Sequence, residues 1–153
     1  LGTPQIVSTG VGLCITVLRN RAALERACLD LDAMARFAQA IRQDGIDMLE
    51  PYWIIREGAT AQGDTFARLL MAPPSPPEDP FTGSATGAAA AYLWSKGLID
   101  NPQFVAEQGH GMGRPGQAQG EVLGPRDAIT GVRGSGQGRV VMSGDVFMPS
   151  GTG

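Results

Sequence analysis

Apolar and polar positions along the chain alternate in short runs at both ends, and between them lies one long segment without charge. Gln5–Ser8 reads as a short strand ending at Thr9-Gly10. Val11–Leu18 is apolar and β-branched, which predicts a second strand buried on both faces. Arg21–Cys28 reads as a short helix. A longer, outer helix follows, capped by Asp30 or Asp32. Its Met34, Phe37, Ala38 and Ile41 recur at helical spacing, Arg36, Arg42 and Gln43 lie on the wet side, and Gly45 ends it. Ile46–Arg56 reads as a strand carrying Tyr52, Trp53, Ile54 and Ile55, with Pro51 predicting an edge or a bulge. Gly58–Gly63 turns the chain into the strand Thr65–Met71. Toward the end, Gln103–Gln108, Gln119–Leu123, Ala128–Val132 and Gly138–Met142 read as short strands. Pro125-Arg126-Asp127 and Gly134–Gly138 have hairpin chemistry, so the chain closes as an antiparallel meander.

The middle segment differs from both flanks. Pro73, Pro74, Pro76 and Pro77 hold the approach extended. The chain then turns at Thr82-Gly83-Ser84, where Thr82 or Ser84 can act as N-cap, and an alanine-rich helix runs to about Lys96 with Gly97 as its stop. Gly83, Ser84, Ala85, Gly87 and Ala88–Ala91 put no bulky side chain in the first two turns, and no charge appears before Lys96. Such a helix is enclosed, with strands packed close to its backbone. The pattern predicts an α+β class in which a strongly curved, mixed or antiparallel sheet wraps around this helix.

Composition narrows the functional classes. The 153 residues are 42% hydrophobic and 18% charged, which fits one globular domain spanning 1–153. A net charge of −3 gives no basic footprint for nucleic acid. No apolar run approaches the roughly 18 residues of a membrane span, and no secretory signal is visible, so we expect a cytoplasmic protein without nucleic-acid or membrane partners. The chain starts at Leu1 rather than Met, which leads us to expect that the natural start is missing or processed. Cys14 and Cys28 sit in apolar stretches and read as buried free thiols. With His110 the single histidine and no cysteine cluster, neither a metal site nor a cofactor is expected. His110 itself reads as a satisfied or solvated side chain. Gly111–Gly116 fits G-x-G-x-x-G, but Pro115 opposes a following helix and no βαβ unit surrounds it, which argues against a dinucleotide site.

Candidate chemistry centres on the start of the enclosed helix. Its free N–H groups, set inside a pocket, make an anion site. Asp79 stands five residues before Ser84 and can act as an acid/base beside a bound anion. Acidic-Pro-turn-Gly-Ser is also an ordinary loop and N-cap, and spacing alone leaves both readings open.

Glu78-Asp79-Pro80-Phe81-Thr82-Gly83-Ser84-Ala85 resembles the E-D-P-A-T-G-S-A signature of the PhzF-like (phenazine biosynthesis F-type) isomerases. Asp64–Arg68 resembles the D-x-x-x-R strand before it, and Gln108-Gly109 with Met112–Pro115 the Q-G-x-x-M-G-R-P segment after it. Ser8-Thr9-Gly10 resembles the strand end that opens the family's second half. The resemblance covers about residues 5–145 and implies a diaminopimelate-epimerase-like half: a barrel around a central helix, equivalent to the C-terminal lobe of a two-lobed protein. It further implies proton-shift isomerisation of a small carboxylate-bearing substrate, amino-acid-like or dihydro-hydroxyanthranilate-like. Asp79 would be catalytic, and Thr82, Gly83, Ser84 and Ala85 would bind substrate, with the Gly83 and Ser84 amides and the Ser84 hydroxyl on its carboxylate. The family's acid/base glutamate belongs to the first lobe, so a missing N-terminal lobe or a partner chain is expected, as is a homodimer of the full protein. The other reading is a non-catalytic module that binds small anions or partners. The chain departs from the family pattern at Leu70, at Phe81 where alanine is usual, and at Gly116 where serine is usual. Arg114 matches the pattern, either facing the cleft or capping a strand end. No cysteine stands near the helix start, which disfavours a two-cysteine racemase mechanism.

Overall fold

The structure is a computed structural model that describes residues 2–43 and 50–148. One sheet holds all the described strands: β1 (Gln5–Ser8), β2 (Gly12–Val17), β3 (Glu50–Ile55), β4 (Thr65–Leu70), β5 (Glu78–Asp79), β6 (Gln103–Gln108), β7 (Gly116–Leu123) and β8 (Gly131–Ser135). Their order is β1-β2-β3-β4-β6-β7-β8, with β5 pairing β4 off this path. The β2–β3 and β4–β6 pairs are parallel and the others antiparallel. The helix α3 (Gly83–Ser95) touches β1 and β2 at one end of the sheet and β7 and β8 at the other, so the sheet curls around it.

The curl depends on small side chains. Ala85, Ala88, Ala89, Tyr92 and Leu93 of α3 pack with Leu13, Ile15 and Val17 of β2, Tyr52 and Ile54 of β3, and Ala67 and Leu69 of β4. On another side Ala90 meets Phe104, Ala106 and Val122. Alanine lets strands approach the helix backbone from several directions at interior density. The helix ends as the sequence predicts. Gly97 adopts φ 65°, its N–H donates to the Trp94 carbonyl at 3.1 Å, and the Leu98 N–H to the Leu93 carbonyl at 2.8 Å, a Schellman stop.

Two helices lie outside the curl, α1 (Arg21–Glu25) and α2 (Leu31–Gln43). Asn20 Oδ1 accepts from the Ala23 N–H at 3.0 Å and Asp30 Oδ1 from the Ala33 N–H at 2.9 Å, so Asp30 rather than Asp32 caps α2. The helix expected over Arg21–Cys28 stops at Glu25, where Arg68 Nη1 donates to the carbonyls of Leu24 (2.9 Å) and Ala27 (3.1 Å).

Several expectations are corrected. β2 is not buried on both faces: Leu13, Ile15 and Val17 are buried, while Gly12, Cys14 and Thr16 on its outer face are half-buried. Pro51 marks neither an edge nor a bulge, because β3 pairs with both neighbours; the β3–β4 ladder begins only at Tyr52, so the missing N–H removes no bond from it. The last strand is β8 rather than Ala128–Val132, because the Pro125 turn runs on until the Thr130 N–H meets the Leu123 carbonyl at 2.9 Å. Gly138–Met142 forms no strand, and Gly134–Gly138 closes no hairpin. Cys14 is half-buried and Cys28 exposed, both free. Gly45 and Ile46–Leu49 lie outside the described residues. Among the described helices, none is long and apolar enough to cross a membrane.

Candidate functional site

α3 begins at the mouth of the curl. Thr82 enters it with extended backbone (φ −114°, ψ 97°), and the first helical bond runs from the Thr86 N–H to the Thr82 carbonyl at 3.0 Å. The amides of Gly83, Ser84 and Ala85 therefore stand ahead of the helical ladder, at the positive end of the helix dipole. Gly83 and Ser84 are exposed, whereas Ala85 is fully buried. The donor end faces outward while the body of the helix is enclosed.

Thr82 is the N-cap residue, but its hydroxyl does not cap. It donates to Asp79 Oδ2 and so ties the carboxylate to the helix start. Asp79 stands opposite Leu69 in the β4–β5 ladder, and Leu69 stands opposite Tyr52 in the β3–β4 ladder. Paired residues share a face of the sheet, so Asp79 lies on the inner face with Leu69 and Tyr52. Burial pushes the Tyr52 phenol well above its ordinary range, a hydrogen bond with Thr86 eases this, and the charge of Asp79 adds to it. Tyr52 remains a neutral wall beside Asp79.

The turn is fixed by a residue that had no role at the level of sequence. Gln108 is fully buried. Its Nε2 donates to the Asp79 carbonyl at 2.7 Å and to Thr82 Oγ1 at 3.2 Å, and its Oε1 accepts from the Thr82 N–H at 3.2 Å. The signal was present: Phe104, Ala106 and Gln108 share the inner face of β6, and a glutamine in that series must find partners. Next to it, Gly109 (φ 80°) admits the close approach of Pro80, whose carbonyl oxygen would lie 2.5 Å from an added Cβ.

Neighbouring acidic groups are placed as follows. Glu78 is committed to Arg68 through two bonds, Nε to Oε1 at 3.0 Å and Nη2 to Oε2 at 2.8 Å. Glu50 lies two residues before Tyr52 on the same face of β3. Its Oε2 is buried without a partner among the described residues, and burial raises its carboxyl while the Ala72 backbone N–H draws it back. Glu107 and His110 lie on the outer side. Glu107 accepts from Thr60 N–H (2.9 Å) and Oγ1 (2.6 Å), and His110 stacks edge-on to Phe66 with centroids 5.4 Å apart. Its Nδ1 is buried without a partner among the described residues, so His110 is neither fully satisfied nor solvated. Arg114 is exposed and its backbone N–H closes the turn onto the Gly109 carbonyl at 3.1 Å. Gly111–Gly116 leads into β7 rather than a helix. Two surface grooves, about 350 Å³ beside Leu18, Arg56 and Leu98 and about 540 Å³ across Gln103, Gln119 and Arg133, lie away from Asp79 and Ser84.

A family model described as phenazine biosynthesis-like protein (PhzC-PhzF) matches residues 2–144. An uncharacterised isomerase of Deinococcus radiodurans is 34% identical over 119 residues, which cover 75% of this chain and 36% of that protein. Among solved structures, a predicted epimerase from Pseudomonas aeruginosa is 26% identical with a TM-score of 0.61, covering 92% of this chain and 46% of that one. A PhzF-family phenazine biosynthesis protein of Bacillus anthracis, 22% identical with a TM-score of 0.60 and covering 75% and 38%, shares the fold. The chain spans less than half the length of each of these relatives.

Proposed function

The chain belongs to the phenazine biosynthesis-like PhzC-PhzF family, and on that premise we propose that it is the substrate-holding, C-terminal-type lobe of a proton-shift isomerase acting on a small carboxylate. The observation that carries this is the outward-facing helix start with Asp79 fastened to it. In this reading the Gly83, Ser84 and Ala85 amides and the Ser84 hydroxyl hold the carboxylate. Thr82 and Gln108 set the position of Asp79, which orients the substrate amine or shares the migrating proton. The acid/base glutamate comes from a further lobe, on the same polypeptide or on a partner chain, that covers the open mouth. The substrate class is amino-acid-like or dihydro-hydroxyanthranilate-like, and the full protein is a homodimer.

One observation favours a second reading. Glu78, adjacent to Asp79, is fully engaged by Arg68 and cannot serve as a free acid. If no further lobe supplies a carboxylate, the chain is a binder of small carboxylates without turnover. Incubation with trans-dihydro-hydroxyanthranilate in deuterium oxide separates the two. Deuterium should enter the substrate when the chain is combined with a glutamate-bearing lobe, and Asp79→Asn should abolish this. No incorporation with the lobe present, or incorporation indifferent to Asp79→Asn, would refute the isomerase reading.

A further inference from the structure

The inner face of the sheet carries a second carboxyl at the mouth. Glu50 stands opposite Leu13 in the β2–β3 ladder, and Leu13 is fully buried in the core around α3. Two residues beyond the Tyr52–Leu69 pair, the β3–β4 register sets Glu50 level with Met71, which packs on the same core. Paired residues share a face, so Glu50 faces α3 as Asp79 does.

Glu50 is also at the right height. Asp79 is fastened to Thr82 and pairs with Leu69 near the end of β4, and β3 is antiparallel to β4. Both β3 and α3 therefore run inward from the mouth. Tyr52 is hydrogen-bonded to Thr86 on α3. From Tyr52 back to Glu50 the strand covers about 6.6 Å, and from Thr86 back to Thr82 the helix covers about 6.0 Å. Glu50 thus comes level with Thr82 and flanks the open helix start from the β2 side, with Asp79 on the β4 side.

The carboxyl is unspent. Oε2 of Glu50 is buried without a partner, and no ion pair among the described residues involves it. Arg68 on β4 is turned to the outer face, where it serves Glu78 and the carbonyls of α1. Burial holds the Glu50 carboxyl above its ordinary range despite the Ala72 N–H against it. A buried polar atom without a partner is costly, and a cation beside it offsets that cost. The residue as a whole is half-buried, and the last torsion of a glutamate is soft, so either oxygen can turn to a ligand in the mouth.

Resting on the reading of the α3 start as a carboxylate site, we infer that Glu50 is a specificity-determining residue of that site. With Asp79 it takes the ammonium group of a ligand whose carboxylate lies on the Gly83, Ser84 and Ala85 amides. Helix amides alone accept any small carboxylate, whereas the second carboxyl selects those that also carry a cation.

Titration of the isotope-labelled chain with cyclohexanecarboxylate and with trans-2-aminocyclohexanecarboxylate tests this. The two share ring and carboxylate and differ in the ammonium group. The unaltered chain should bind the amino acid more tightly, and the carboxyl carbon resonance of Glu50 should move with it and not with the amine-free acid. Glu50→Gln keeps the shape and the acceptor for Ala72. It should weaken the amino acid roughly tenfold to a hundredfold, the loss of one charge-assisted bond, and leave cyclohexanecarboxylate unchanged. Equal affinity for the two ligands in the unaltered chain, a Glu50 resonance indifferent to the ammonium group, or a Glu50→Gln chain that weakens both ligands alike overturns the inference, while binding of cyclohexanecarboxylate at Thr82–Thr86 still upholds the carboxylate site. Binding of neither ligand there overturns both.

Discussion

A Cβ added at Gly116 would lie 2.5 Å from Phe81 Cδ2, so the phenyl ring fills the space that a side chain at 116 would need. Two of the three departures from the family pattern are therefore one feature: a larger residue at 81 and none at 116. Gly116→Ser should destabilise the chain by about 1–3 kcal/mol through overpacking, and adding Phe81→Ala should recover most of that loss. Urea denaturation of the two single variants and the double variant measures the coupling; additive losses would show that the ring does not hold this space. Gln108 gives a second residue-scale expectation. Gln108→Ala leaves the Thr82 N–H and the Asp79 carbonyl unpaired and should cost about 1–3 kcal/mol. It should also weaken carboxylate binding, because Asp79 and the helix start lose their common anchor. The turn at Thr82-Gly83-Ser84 and the helix start that follows it were legible from residue types and spacing, since turn and cap position are local, whereas for Asp79 spacing left the catalytic and the ordinary-loop readings open. The alternation along β6 marked Gln108 as a glutamine that needs partners, but which partners it and Tyr52 find was not legible, because β6 and β3 are brought against the turn across 29 and 27 residues of chain.

Among the elements, α3 makes the most direct prediction. Gly83 is the first helical residue, open space surrounds its missing Cβ, and Thr82 before it is already extended. Proline is tolerated at that position and lacks the N–H. Gly83→Pro should leave thermal stability nearly unchanged while lowering carboxylate affinity by roughly tenfold to a hundredfold, the loss of one charge-assisted bond. Calorimetric titration with anthranilate reads this. The loop between β3 and β4 makes a pH prediction. Burial opposes ionisation of Glu107, but donors from Thr60 and Ala59 and the charge of His110 outweigh it and hold the carboxyl below its ordinary range. A lowered folded value means that this stability is present above the unfolded carboxylate value of about 4.3 and is lost as pH falls through the folded one. Glu107→Gln should flatten that acid limb in denaturation midpoints recorded through the acid range. The enclosed helix was legible because a run of small uncharged residues has few other uses. Pro51 misled because its position was judged without knowing where the β3–β4 ladder begins.

For the whole molecule, the curled sheet leaves the start of α3 facing outward and the chain spans less than half the length of each relative, which fits the lobe proposed above. The closing antiparallel meander was legible in part: β6, β7 and β8 form it, but the last predicted strand, Gly138–Met142, pairs with none of them. The central claim is that the start of α3, with Asp79, receives a substrate carboxylate. Amide chemical shifts of the isotope-labelled chain during titration with anthranilate test it most directly. The account predicts saturable shifts concentrated at Asp79 and at Thr82–Thr86, which in Gly83→Pro saturate only at correspondingly higher anthranilate concentration. Shifts confined to another face of the sheet, or unchanged in Gly83→Pro, would contradict it.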